Sequence, residues 1–168
     1  WDRGWYKFPE MFPDVDLTKY TRIEALKSLI KRFAYRHVIF DADMVRSFYK
    51  LPAKDIKSAI EALVTESVLT ELSGEYGLKS DVDFLQTYSI DLPKFTYAIH
   101  RNDFLVKSNE HVLKEKYPHS YPDTLYYLLI DGKFHGAVVG KFRYSPEVSD
   151  VILDLSPDEA KLRKDEII

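Results

Sequence analysis

Leu51-Pro52 stands between two short stretches of helical periodicity and restricts the fold more than any other dipeptide in the chain. Proline disfavours helix at the residue before it yet suits the first turn of a helix that follows, so one helix ends here and another begins. Upstream, Asp41 is placed to cap a helix that carries Met44, Val45, Phe48 and Tyr49 at three- and four-residue spacing. Downstream, Ile56, Ile60 (or Ala59), Leu63 and Val64 repeat that spacing. The expectation is two amphipathic helices joined by a sharp turn.

The flanks extend this pair. Thr18 or Thr21 caps an earlier helix whose buried stripe is Ile23, Leu26, Leu29 or Ile30, and Phe33. The run Val38-Ile39-Phe40, just before the Asp41 cap, is short, β-branched and aromatic. Beyond the second helix of the pair, Val68-Leu69-Thr70-Glu71-Leu72 and Tyr76-Gly77-Leu78 flank the turn Ser73-Gly74-Glu75, which predicts a two-stranded hairpin. Three helices closed by a hairpin have the outline of a winged helix, a fold often used to set a helix against DNA. Asp83-Phe84-Leu85 is expected to continue off the wing, and Asp91-Leu92-Pro93 marks a boundary.

After Pro93 the pattern turns to strands. Phe95 to Ile99 and Phe104-Leu105-Val106 are expected as strands, with Ser108 capping a short helix that runs to Tyr117 and is stopped by Pro118 and Pro122. Leu125 to Ile130 and Phe134 to Phe142 flank Asp131-Gly132, a dipeptide that tolerates the positive φ angles of a two-residue hairpin turn. Gly136 and Gly140 inside the second strand predict a bulge, a bend or a close backbone approach. Val148 to Leu155 adds a strand, and Ser156-Pro157-Asp158-Glu159 opens a C-terminal helix. The expected class is therefore α+β: a winged helix over residues 17–92, then a small curved antiparallel β-sheet or β-barrel-like domain with a C-terminal helix over 93–168. Residues 1–16 begin at Trp1 rather than Met and are expected to be the remnant of a preceding domain and its linker. Trp1, Trp5, Tyr6, Phe8 and Phe12 carry enough apolar area to pack against the body in an extended form.

Composition excludes several chemistries. There is no cysteine, so disulfides, thiolate catalysis and cysteine-bound metals are out, and no apolar run approaches the roughly 20 residues of a membrane helix. A cytoplasmic protein with no membrane partner is the expectation. The histidines at 37, 100, 111, 119 and 135 contain no i, i+4 pair, so neither a metal nor another cofactor is expected. Net charge is -3, but residues 17–80 hold 11 Lys/Arg against 8 Asp/Glu, and the surplus lies on the helical stretch. Lys27, Lys31, Arg32 and Arg36 supply it on the first helix, Arg46 and Lys50 on the second, Lys54 and Lys57 on the third. These cations would meet phosphates or simply solvate helix faces. The helix from 52 to 66 has no Arg, Asn or Gln, the side chains that read base edges bidentately, so backbone contact is favoured over operator reading. Arg46, Lys50, Lys54 and Lys57, with Lys141 and Arg143 on the β domain, are the candidate DNA-binding residues. A candidate polar site is Arg101-Asn102-Asp103, where Asp103 would orient a water beside a phosphate held by Arg101, or where Asn102 and Asp103 would only build a turn.

The run from Trp1 to Pro13, then Leu51-Pro52-Ala53-Lys54, Glu66-Ser67-Val68-Leu69, Asn102-Asp103-Phe104-Leu105-Val106 and Leu129-Ile130-Asp131-Gly132, resembles the C-terminal half of the bacterial winged-helix DNA glycosylase family. That family acts on alkylated and crosslinked DNA, and the resemblance implies winged helices followed by a small β-barrel. Its catalytic Gln-x-Gln or Gln-x-Asp pair belongs to the N-terminal half; Gln86 is the only glutamine here and is followed by Thr87-Tyr88, so no catalytic residue carries over. The expected function is a DNA-binding winged-helix module of a glycosylase-like repair protein that grips double-stranded DNA through its backbone. The alternatives are a transcriptional regulator and a protein-interaction scaffold that does not bind DNA.

Overall fold

A computed structural model describes residues 6–89, 91, 93–118, 123–142 and 147–167. Thr21 and Glu24 form a reciprocal capping box that starts α2 (Arg22–His37), while the four-residue α1 (Phe8–Met11) lies before it. Val38 closes α2 by donating its N–H to Ala34 O at 2.8 Å, and the two residues after it form a strand that the sequence reading did not assign, β1 (Ile39–Phe40). Asp41 caps α3 (Ala42–Tyr49) by accepting from the Met44 N–H. Lys50, in the left-handed region at φ 54°, and Leu51 then turn the chain into α4 (Ala53–Thr65). The hairpin of β2 (Leu69–Leu72) and β3 (Glu75–Leu78) turns at Ser73-Gly74, both at positive φ.

β1 pairs antiparallel with β3, giving a three-stranded sheet in the order β1-β3-β2. Leu26, Ile30, Phe33 and Ala34 of α2 bury against Val45 of α3, Ile56, Ala59, Ile60 and Leu63 of α4, and Phe40 and Leu69 of the sheet. Gly77 is required where β3 passes the end of α2: a Cβ there would sit 2.8 Å from Val38 O. After the hairpin the chain runs straight off the wing into α5 (Lys79–Thr87), which holds residues 83–85, buries Val82 and leaves Phe84 and Leu85 exposed.

The second half contains β4 (Thr96–His100), α6 (Phe104–Ser108), α7 (Glu110–Lys116), β5 (Asp123–Ile130), β6 (Lys133–Lys141), β7 (Glu147–Leu153), α8 (Pro157–Leu162) and α9 (Lys164–Ile167). The strands form an antiparallel meander in the order β4-β5-β6-β7. β4 and β7 are its two edges, so the sheet is open rather than a closed barrel. Register slips between Thr124 and Tyr126, between Leu128 and Leu129, and between Val139 and Gly140, each a point where twist increases. Gly136 and Gly140 are close approaches to β7: added Cβ atoms would stand 2.7 Å from Ile152 O and 1.9 Å from Glu147 O.

Three further expectations are corrected. Phe104-Leu105-Val106 is helix, not strand, because Asp103 Oδ1 accepts the Leu105 N–H and nucleates α6. Ser108 ends that helix instead of capping the next, which begins after Asn109. The N-terminal aromatics do not pack down in extended form either: Tyr6, Phe8 and Phe12 are exposed, and the Phe8 and Phe12 rings meet at 4.8 Å, tilted by 37°, across α1. Trp1 and Trp5 lie outside the described residues.

α6 and α7 join the two halves. Phe104 reaches into the α2–α3 core against Phe33 (5.5 Å between ring centroids) and Phe48 (4.7 Å). Val106, Leu113 and Tyr117 pack on Tyr127 and Ala137 of the four-stranded sheet.

Candidate nucleic-acid interface

The α3–α4 turn presents the candidate cations on separate local scaffolds. The left-handed backbone at Lys50, held by its N–H to Arg46 O (2.9 Å), swings its side chain toward α7. There Lys50 Nζ lies 3.2 Å from Glu110 Oε2. Arg46 makes only a 3.9 Å pair with Asp43, and Lys57 a 3.8 Å pair with Glu61, all four side chains being largely exposed. Lys54 is exposed and has no ion pair among the described residues. No side chain caps α4; the Asp55 and Ile56 N–H groups donate to Pro52 O, and Pro52 and Ala53 line the same cleft as Arg46 and Lys50.

Glu110 is the centre of the local electrostatics, and it was not among the residues singled out from sequence. Besides Lys50, it receives Lys107 Nζ at 3.0 Å and Lys114 Nζ at 3.1 Å. Burial pushes its pKa up, but hydrogen bonds from Lys107, Lys114 and Lys50 outweigh that and hold it at about 2. Its side chain is 17% exposed, whereas those of Lys50, Lys107 and Lys114 are 67%, 38% and 69% exposed. Three ammonium groups therefore cover one recessed carboxylate, leaving a surface surplus of two positive charges. The signal in the sequence was the i, i+3 and i, i+4 spacing of Lys107, Glu110 and Lys114.

Two open clefts flank this cluster and share Glu110 and Lys114. One, about 800 Å³, is lined by Arg46, Ser47, Lys50, Pro52, Ala53 and His111. The other, about 650 Å³, reaches the sheet and includes Arg101, Asn102, Lys107, Thr124 and Tyr127. Arg101 pairs with Asp123 at 3.3 Å and lies 5.5 Å over the Phe142 ring. Asn102 donates its N–H to His100 Nδ1 (3.2 Å), and Asp103 is spent on capping α6, so the segment is a strand-to-helix turn. Lys141 pairs with Glu147 at 3.6 Å on the far strands, apart from the clefts. Arg143 lies outside the described residues.

On α2 the basic residues divide. Lys27 is bonded to Glu66 of the residues after α4, and Arg22 to Asp55 of α4. Arg36 lies 5.4 Å over the Phe104 ring, and Lys31 and Arg32 are exposed beside Tyr35. Among the described residues, no three His, Asp or Glu side chains converge as metal ligands, and no helix is long and apolar enough to cross a membrane. No family model, curated protein or solved structure matches the chain.

Proposed function

We propose that residues 22–78 are a winged helix that binds double-stranded DNA through its phosphate backbone, as the DNA-gripping module of a glycosylase-like repair protein. The observation that carries this reading is the order α2-β1-α3-α4-β2-β3 with β1 paired to β3, which sets a sharp α3–α4 turn beside a cluster of cations. Arg46 and Lys57 are held only by exposed pairs at 3.9 and 3.8 Å, worth about 0–1 kcal/mol, so they exchange carboxylate for phosphate at little cost. Among the described residues, Lys54 has no pair to break. The uncapped start of α4 adds oriented N–H donors. The exposed side of α4 offers lysine but no Arg, Asn or Gln, which supports backbone contact and speaks against an operator-reading regulator.

The test is a fluorescence-anisotropy titration of the 168-residue chain with an arbitrary duplex at low and moderate salt, beside the Lys50→Ala/Lys54→Ala/Lys57→Ala variant. Affinity is expected to fall steeply with salt, and the variant to lower the log–log salt slope by about two to three. Equal binding by both proteins sinks the assignment of this turn.

A second reading rests on the wing. Its strands and turn carry Glu71 and Glu75 with no Lys or Arg, and Glu71 shares a groove with Ile60, Glu61, Val64 and Tyr76. An acidic wing repels phosphate, and this groove suits a scaffold that takes a basic, partly apolar protein segment. Absence of duplex binding at low salt by the chain within its full-length protein selects that reading.

A further inference from the structure

We infer that Glu110 is a built-in counterion that competes with DNA phosphates for Lys50, Lys107 and Lys114, and that the duplex backbone runs from the α3–α4 turn across these lysines toward Arg101. This rests on the DNA-binding reading above and names the rest of its contact surface.

The geometry argues for it in three steps. First, the ammonium groups converge from three elements, the end of α3, α6 and α7, onto a single carboxylate at 3.2, 3.0 and 3.1 Å. One carboxylate neutralises only one of the three ammonium groups, so two positive charges remain close together and an incoming anion offsets their mutual repulsion. Second, the carboxylate is recessed and the cations stand outward, so an incoming anion meets the lysines and not Glu110. Third, the clefts on either side meet at Glu110 and Lys114. They place Arg46, loosely paired with Asp43, and the uncapped start of α4 at one end, and Arg101, paired with Asp123, beside Asn102 and Thr124 at the other. A polyanion with regularly spaced charges fits such a track, and each phosphate engaged releases counterions. Glu110 lowers the affinity of the track while holding the lysines in place before DNA arrives.

Two variants test this in the anisotropy assay, each checked for a cooperative thermal transition. Glu110→Gln keeps the side-chain shape and removes the competing charge; duplex affinity is expected to rise by about three- to tenfold at low salt, with the salt slope steeper by about one. Lys107→Ala/Lys114→Ala is expected to make the slope shallower by about two. Weaker or unchanged binding by Glu110→Gln, together with an unchanged slope in the double-lysine variant, overturns the inference. The Lys54→Ala/Lys57→Ala variant separates the two failures. If it weakens binding while the Glu110 and Lys107/Lys114 variants match the wild type, the turn binds DNA and the extended track is wrong. If no variant and no wild type binds a duplex, the underlying reading fails and this inference falls with it.

Discussion

The imidazole Nε2 of His37 lies 2.8 Å from the hydroxyl of Ser108, 71 positions away, and this contact ties the last turn of α2 to the end of α6. Ser108 Oγ is also 2.9 Å from Phe104 O, which accepts its hydroxyl hydrogen. The consistent tautomer has His37 Nε2–H donating to Ser108 and Ser108 donating to Phe104. The ring packs against both Phe33 at 4.4 Å and Phe104 at 4.5 Å, and burial pushes its pKa down to about 4. In the unfolded chain it protonates near pH 6.5, in the native chain only near 4. The folded state therefore gains from this group above pH 6.5 and loses that gain as pH falls from 6.5 to 4. His37→Phe keeps an aromatic ring and leaves Ser108 bonded to Phe104. Its Tm is expected to decline less than that of the wild type across this window; parallel declines would exclude His37 as the source.

Glu110 governs a lower window. Its carboxyl is held at about 2 against an ordinary 4.5, so the stability it contributes is complete above pH 4.5 and disappears as pH falls toward 2. Allowing for solvent screening at the exposed ammonium groups, the contribution is about 2 kcal/mol. Glu110→Gln is thus expected to be less stable at neutral pH by that amount in urea denaturation, and to flatten the acid limb below pH 4.5. An unchanged acid limb would show that other carboxylates set it.

Gly140 cannot accept a side chain. A Cβ would stand 1.9 Å from Glu147 O, a backbone atom of the paired strand, and relief requires parting β6 from β7. Gly140→Ala is expected to cost about 3 kcal/mol or more. Gly74, at φ 93° with open space around it, is expected to cost only about 1 kcal/mol as Ala. Denaturation midpoints of the two variants in one titration series check the ordering.

Arg163 is 5% exposed and bonds Asp131 at the β5–β6 turn, Glu166 at 3.1 Å and Glu159 at 3.9 Å. Glu166 also accepts from Thr96 on β4 at 2.8 Å, so the C-terminal helices are latched to one end of the sheet. Arg163→Ala is expected to cost about 2 kcal/mol, less than a fully buried pair because its carboxylates are 40–48% exposed and regain water. Faster tryptic cleavage at Lys161 and Lys164 is the readout. Unchanged cleavage would mean that packing alone holds α8 and α9.

Much of the architecture is written in short-range signals. The Thr21/Glu24 box, the Asp41 and Ser156 caps, the Leu51-Pro52 break and the Asp131-Gly132 turn each act within four residues, and each stands where those residues place it. The apolar stripes of α2 and α4 follow the same logic: Leu26, Ile30 and Phe33, and Ile56, Ala59, Ile60 and Leu63, recur at helical spacing and are buried, whereas Ile23 in the first turn of α2, expected in that stripe, is exposed. Phe104-Leu105-Val106 shows where such signals stop. Three apolar residues fit strand or helix equally, and Asp103 decides for helix by capping it, which lets Phe104 enter the core between Phe33 and Phe48. The open sheet is a long-range matter too, since closure would depend on whether β4 and β7 meet.

The candidate interface divides along the same line. The sequence determined that the net positive surplus of this chain falls on residues 17–80, because charge counts need no coordinates. Packing decided which of them remain at the surface for a partner: Arg22 and Lys27 are taken by Asp55 and Glu66, and Lys50 is drawn to Glu110 across 60 positions. Caps, turns and periodicity depend on neighbours a few bonds away, which the sequence by itself specifies. The partner of a charge depends on which elements pack together, and only the tertiary structure settles that.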